Sequence, residues 1–359
     1  MRLELSLPGK KMRPSFGLDV CSSAVKMLEL SRTSKGEYRV DHYVVEPLPK
    51  DAVVDGRIAE LETVSQAVQR ALKRMGTATR HCVMALPASA VITKKITIPD
   101  GLRDDELDAL MESEAHQHIP FAIEEVNFDY QVLGPAKSAG ELDVLLAASK
   151  KEGIEDRLAV AEAAGLKVQV MDVETYAIQA AWRMVMRQLP LEAQTPLAAL
   201  VNIGTKVMRF TVMRGEDQIY VREQPFGGER LTQEIVRAYG VDFNQADTNK
   251  RTGNLPADYR SNVLDPFLDS LALEAQRALQ LFFTSTQYDH IDNLVLSGGT
   301  AQIEGIERVV ADKTGVHTLI ANPFTGMVLP ERVHSRSLAA DAPSLMIACG
   351  LALRRFDPS

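Results

Sequence analysis

Apolar runs at 16–20, 25–30 and 38–45 are separated first by Ser22 and Ser23, then by Ser34, Lys35 and Gly36. Runs of that length broken by small or polar residues predict three consecutive strands joined as a meander. The period then changes. Leu61, Val64, Val68, Ala71, Leu72 and Met75 recur at helical spacing over 60–75, and Gly76 supplies a stop, so a helix should follow and cover the sheet.

Residues 84–166 break this rhythm. A strand is predicted over 91–98. Over 104–119 a helix places Leu107, Leu110, Met111, Ala115 and Ile119 on one face until Pro120 ends it. Strands at 126–133 and 142–148 follow, and then a helix over 154–164 closed by Gly165. A β-α-β-β-α unit of this size can bury a core of its own, so 84–166 reads as a small subdomain inserted in a first lobe.

A strand over 167–173 leads into Glu174 and a helix running through Trp182 to Leu189. Prolines bracket polar residues over 190–196, which predicts a hinge. Beyond it the meander returns, with strands at 197–201, 207–213 and, after the Arg214 and Gly215 turn, 218–223. Residues 227–287 are mostly helical, interrupted by a loop over 250–258. A buried strand at 293–296 runs into Ser297, Gly298, Gly299 and Thr300, with a helix after it, and an apolar helix over 344–354 is expected to return to the first lobe. The resulting division is lobe 1 over 13–190, closed by a C-terminal helix at 344–355, and lobe 2 over 197–340, with its helical subdomain at 227–287.

One turn motif occurs in both halves. In 18–30 an apolar strand ends on Asp19, turns through Cys21, Ser22 and Ser23, and re-enters a strand; 201–213 repeats this with Asn202, Gly204 and Thr205, 183 residues further on. Two such turns facing one another would offer backbone N–H groups and hydroxyls to the phosphates of one nucleotide. Asp19 at a strand end is placed to hold a magnesium ion through water. Lys26 supplies a positive charge if it turns inward. The plainer alternative is a Ser or Asx turn closing each hairpin, with Lys26 solvated. Gly298, Gly299 and Thr300 would let a flat base or ribose lie against backbone. Gly227 and Gly228 read equally as a bend before a helix starting near Leu231, and Lys250 and Arg251 as solvated charges.

Composition narrows the classes. The chain has 359 residues, 45% hydrophobic and 25% charged, which suits a globular protein of two lobes. Its net charge of −8 argues against general nucleic-acid binding. Cys21, Cys82 and Cys349 lie far apart, so neither a disulfide framework nor a zinc site is indicated. No run reaches the roughly 20 apolar residues that cross a bilayer. The basic N-terminus, with Lys10, Lys11 and Arg13, lacks the apolar core of a signal peptide. A cytoplasmic protein, reaching a membrane only through a partner, is expected.

The combination of paired hydroxyl turns, a later Gly-Gly-Thr and an apolar closing helix resembles the actin and hexokinase class of ATP-binding folds. Closer still, Gly-Leu-Asp-Val-Cys-Ser-Ser-Ala-Val-Lys (17–26), Glu-Ala-His-Gln-His-Ile-Pro-Phe (114–121), Phe-Gly-Gly-Glu-Arg-Leu-Thr (226–232) and Leu-Ser-Gly-Gly-Thr-Ala (296–301) resemble the PilM family of type IV pilus assembly proteins, relatives of the cell-division protein FtsA. The resemblance runs over about 15–357. It implies an α/β, actin-like ATPase fold of duplicated ribonuclease H-like lobes with an FtsA-type inserted subdomain.

By that resemblance, Asp19, Ser22, Ser23 and Lys26 form a first phosphate motif, Asn202, Gly204 and Thr205 a second, and Gly298, Gly299 and Thr300 an adenosine motif. Gly227, Gly228, Lys250 and Arg251 approach the nucleotide from the second lobe, and Glu174 falls on the first connecting helix. ATP and magnesium are the implied cofactors. Cys21 stands where a small Gly or Ser is usual, which is expected to crowd the turn; Asn202 stands where Asp is usual, so tight binding with little turnover is expected. The implied partner is the cytoplasmic N-terminal tail of PilN, held in a groove beside the inserted subdomain. Pilus motor or platform proteins come next, with self-association also open. That places the protein at the inner face of the inner membrane. Two other classes compete: an FtsA-like filament protein, disfavoured because 354–359 offers no amphipathic membrane helix, and a small-molecule kinase, for which no Asp-centred substrate motif is evident.

Overall fold

The structure, a computed structural model, describes residues 13–190, 196–331 and 333–357. The basic residues Lys10 and Lys11, positions 191–195 of the expected hinge, and Pro358 and Ser359 lie outside the described residues. The described residues divide into two compact units, those within 13–30, 42–178 and 350–357 forming one, and those within 31–41 and 179–349 the other.

The first unit is built on a five-stranded sheet. Strands β1 (Phe16–Val20), β2 (Ala24–Arg32) and β3 (Tyr38–Pro47) form the expected meander, and a two-residue hairpin, β4 (Val53–Val54) with β5 (Arg57–Ile58), precedes helix α1 (Leu61–Met75). Gly76 ends α1 at φ 68°, the left-handed conformation that glycine adopts without a Cβ clash. Strand β6 (His81–Leu86) then pairs parallel to β1. Phe16, Leu18, Met27, Val64, Val68 and Met84 pack between sheet and helix, where each large side chain withdrawn from water contributes about 1.5–3 kcal/mol.

An excursion follows. Strand β7 (Val91–Pro99), helix α2 (Asp104–His118), and strands β8 (Val126–Pro135) and β9 (Glu141–Lys150) form a separate three-stranded sheet in the order β7-β9-β8. Its core holds Ile98, Met111, Ala115, Ile119, Val126, Val144 and Leu146. The self-contained insert is therefore 91–150, narrower than the expected 84–166. Strand β6 is central to the first sheet, and helix α3 (Lys151–Ala163) sends Ile154, Val160 and Ala161 into the core beneath that sheet. Sequence pattern marks α3 only as a helix; packing says which core receives its apolar residues.

Strand β10 (Lys167–Val173) completes the first sheet as β10-β6-β1-β2-β3, and helix α4 (Glu174–Val185) follows. The units divide inside α4, after Ile178, not at the expected 190–196. The cause is in its second half: Gln179 Nε2 donates to the Glu216 carbonyl at 3.0 Å and Trp182 Nε1 to the Gly215 carbonyl at 2.9 Å, binding this stretch to the second unit.

In the second unit, β11 (Leu197–Ile203), β12 (Met208–Arg214) and β13 (Asp217–Gln224) repeat the meander. Helices α5 (Gly228–Tyr239) and α6 (Phe243–Thr252), a π-turn at Arg260–Leu264 and the long helix α7 (Asp265–Ser285) come next. Strand β14 (Asn293–Ser297), helix α8 (Ile306–Thr314) and strand β15 (Thr318–Ile320) give a sheet ordered β13-β12-β11-β14-β15. In both sheets an antiparallel meander has two parallel strands added beside its first member. The repeat seen in one turn is thus a repeat of whole sheets.

Helix α9 (Ser335–Asp341) leads through Ala342–Leu345 into α10 (Met346–Leu353), which is apolar all round because it is buried all round. A Cβ at Gly350 would stand 1.7 Å from the Ala177 carbonyl oxygen, so only glycine lets α10 lie on the backbone of α4. Beyond it, Arg354 grips the buried Asp172 with two bonds, Nε to Oδ2 at 2.6 Å and a terminal nitrogen to Oδ1 at 3.0 Å. Among the described residues no helix is long and apolar enough to cross a membrane.

Candidate functional site

In the first unit the pairing of β1 with β2 sets Asp19 directly opposite Lys26. Lys26 does turn inward. Its Nζ lies 3.3 Å from Asp19 Oδ2, and both residues are buried. Burial works to lower the Lys26 pKa, but the neighbouring Cys21 and Asp19 outweigh it and hold the ammonium above the usual lysine range. Between the two strands the turn is tight: the Cys21 N–H donates to the Ala24 carbonyl at 3.1 Å and its Sγ reaches the same oxygen at 3.3 Å. Cys21 therefore fits the turn instead of crowding it. The Ser23 carbonyl is taken by the Leu48 N–H. Ser22 is half-buried, and its hydroxyl has no partner among the described residues.

Glu174 opens α4 at the end of β10, where the N-terminal end of a helix favours a carboxylate. A residue that pattern reading passes over links it to Asp19. Arg157, on α3, is 2% exposed and donates to three backbone carbonyls, Ala85 at 3.0 Å, Gly56 at 2.7 Å and Gly153 at 3.2 Å. Burial lowers its pKa, while the charges of Glu174, Asp19 and Asp156 work the other way. The sequence carried no signal for it beyond a basic residue within a helix.

In the second unit, candidates drawn from three separate segments meet. The Gly228 N–H donates to the Gly204 carbonyl at 2.9 Å, the Glu229 N–H to the Thr205 carbonyl at 2.8 Å, and the Thr300 hydroxyl to the Gly204 carbonyl at 3.3 Å. A Cβ at Gly227 would lie 2.3 Å from the Thr205 oxygen, and one at Gly228 would lie 2.6 Å from Thr300 Oγ1. Gly298, at φ 90°, would place a Cβ 2.4 Å from the Ile203 oxygen and 2.8 Å from Asn202 Oδ1. These three glycines are needed for contact with the protein itself. Gly299 differs: it is exposed, with nothing within 4 Å of a Cβ. The Thr205 hydroxyl, like that of Ser22, has no partner among the described residues.

Helix α5 begins at Gly228, with Gly227 as its N-cap, earlier than the expected start near Leu231. Lys250 and Arg251 are not in a loop; they end α6, and the loop starts at Gly253. Lys250 Nζ donates to Thr232 Oγ1 at 2.6 Å and pairs with Asp247 at 2.9 Å, so it ties α6 to the first turns of α5. Arg251 pairs with Asp247 on its own helix, and among the described residues no hydrogen bond or ion pair joins it to the glycine cluster.

Register exposes one more missed residue. Asn202 stands opposite Arg209 as Asp19 stands opposite Lys26, with the cation seven residues on in both copies. Because Asn202 is neutral, the second cation faces no carboxylate across its hairpin and donates instead to Glu223 on β13, Nε to Oε1 at 2.9 Å. Among the described residues no three His, Cys, Asp or Glu side chains are grouped to hold a metal.

Two sheets of one topology, with a turn of the same kind in each and an insert after β6, define an actin-like ATPase fold. The family model described as type IV pilus assembly protein PilM matches residues 17–356, and the chain belongs to that family. Among solved structures, a PilM-PilN type IV pilus biogenesis complex is 26% identical over 96% of this chain and 99% of its own, with a TM-score of 0.77. The ethanolamine utilization protein EutJ from Carboxydothermus hydrogenoformans is 16% identical over 96% and 91%, at 0.52. A diol dehydratase-reactivating factor in its nucleotide-free form is 10% identical over 96% and 99%, at 0.54. The last two likenesses are of fold.

Proposed function

We propose that this protein is an ATP-binding adaptor of type IV pilus assembly that recruits the cytoplasmic N-terminal tail of PilN. The observation that carries the nucleotide reading is the convergence of Asn202, Gly204, Thr205, Gly227, Gly228, Gly298 and Thr300 on one spot, with the Thr205 hydroxyl unpaired and Gly299 open beside it. In this reading the Thr205 turn donates to phosphate oxygens, and the adenosine lies against Gly298, Gly299 and Thr300.

The residues fit magnesium carried in with the phosphates better than a metal caged by protein. Asp19 already gives Oδ2 to Lys26, which leaves one carboxylate oxygen to accept from metal-bound water. The ion would neutralise phosphate charge. Asn202 cannot polarise a water molecule as a carboxylate does, so turnover is slow at most.

For the tail, the insert offers a groove of about 360 Å³. Asp108 and Glu112 of α2, Val126, Phe128, Asp129 and Tyr130 of β8, and Lys151 at the start of α3 line it. Aromatic walls with carboxylates at the rim suit a short segment carrying apolar anchors and a basic residue. The similarity to a PilM chain solved with PilN supports this partner. We place the protein in the cytoplasm, at the inner face of the inner membrane through PilN, where it links the membrane alignment complex to pilus motors. Calorimetric titration of the purified protein with a PilN tail peptide, with and without ATP, tests the adaptor reading; absence of saturable binding under both conditions removes it.

A further inference from the structure

Strand β13 is an edge of the second sheet, bonded to β12 on one side only among the described residues. Beside its last residues runs α7, and between the two lies a groove of about 550 Å³ walled by Arg222, Gln224 and Pro225 of the strand side and Glu274, Arg277 and Leu281 of the helix. Further back on the strand Tyr220 packs on Phe282 of α7, with ring centroids 5.2 Å apart. Alternation along β13 puts Tyr220, Arg222 and Gln224 on this same face.

Three features of the groove ask for a complement. An edge strand turns alternate N–H and C=O groups outward, a template for one more extended chain. Gln224 is only 8% exposed, and its Oε1 is buried with no hydrogen-bond partner. A buried amide oxygen in that state lacks the donor that native interiors almost always supply. Arg222 is exposed and has neither a hydrogen-bond nor an ion-pair partner among the described residues, while Arg277 is held by Glu274 at 2.6 Å. The groove therefore carries one uncompensated positive charge on a chain whose net charge is −8. Leu281, 38% exposed, adds an apolar wall.

We propose that this groove is a docking site for an extended acidic segment of a partner protein. The segment adds to β13 as an outer strand, sets a carboxylate on Arg222 and rests an apolar side chain on Leu281, while Gln224 turns its amide to the new chain. The site shares no residue with the nucleotide cluster or with the insert groove, so it stands or falls separately from the adaptor reading.

Selection of a displayed library of short random peptides on the full-length protein tests it. The enriched peptides should alternate β-branched with polar residues and carry an Asp or Glu, and the bound peptide should slow amide exchange at 219–224. Arg222→Glu should weaken binding about tenfold or more, as expected for loss of a charge-assisted bond, with the melting temperature unchanged. Because Arg222 is exposed, that variant folds. Tyr130→Ala, in the insert groove, should leave affinity intact. Enrichment of basic or helix-forming peptides, protection elsewhere, indifference to Arg222→Glu, or an empty selection would each overturn the proposal.

Discussion

Lys26 Nζ and Asp19 Oδ2 stand 3.3 Å apart across the first hairpin, joining residues that β-pairing sets face to face. Removing one partner of a buried pair strands the other, so Lys26→Met should destabilise the fold by about 3 kcal/mol, and adding Asp19→Asn should recover part of that. Urea unfolding of the singles and the double gives the coupling; purely additive losses would show that the pair carries none. The Lys26 pKa is raised in the folded state above its ordinary 10.5, so its contribution is complete below that pH and lost only as pH rises through the higher folded value. Stability attributable to this pair should be flat from about pH 7 to about pH 9.

Two neighbouring types of glycine separate folding from binding. Gly227→Ala drives a methyl into the Thr205 carbonyl and should cost several kcal/mol, roughly as overpacking does at its upper end. Gly299→Ala meets nothing within 4 Å, so the melting temperature should hold while ATP affinity falls. An unaltered affinity in Gly299→Ala would place the adenosine elsewhere.

Thr205→Val keeps the shape of the second turn and deletes a hydroxyl that makes no bond within the described residues. Stability should move by less than about 0.5 kcal/mol, as for surface changes that break no contact. ATP affinity should drop about tenfold, read by fluorescent-nucleotide titration.

Arg354 holds Asp172 through two bonds, and Asp172 is 1% exposed. Arg354→Met leaves that carboxylate unpaired and should cost about 3–5 kcal/mol. Hydrogen exchange should then quicken in α10 and at the end of β10 before it does in β1; uniform quickening would argue that the pair does not fasten the closing helix.

Acid should act partly through Glu46. Burial pushes its pKa up, but hydrogen bonds from Arg70 and Arg74 win and hold it below the ordinary 4.5. A lowered folded value gives stability that is present above that figure and lost as pH falls through the folded pKa. Glu46→Gln should therefore lower the urea midpoint at about pH 7 and leave it little changed at about pH 3. The same deficit at both values would mean that ionisation of Glu46 is not involved.

Much of the fold could be read from local pattern. Both meanders, the helix ended by Gly76 and the insert's helix before Pro120 follow from apolar period and stop residues acting within a few positions. The candidate site was legible only as a set of turns. Gly227 and Gly228 looked like a bend before a helix; their reason is the Thr205 carbonyl and Thr300 hydroxyl, which lie far along the chain. Arg157 was missed because nothing local distinguishes a buried arginine donating to three backbone carbonyls from one in water. Lys250 was placed in a loop because its stretch is polar, and the polar α6 carries only Ala246 as a buried residue.

By itself the sequence determined the elements, the duplication and the family, since each rests on residue type and spacing along one chain. Tertiary structure decided the rest. Packing gave α3 to the first sheet and divided the units inside α4, and strand register set Lys26 on Asp19 while sending Arg209 to Glu223. Such contacts depend on which distant surfaces meet, and burial, through desolvation and steric exclusion, acts only after they have met.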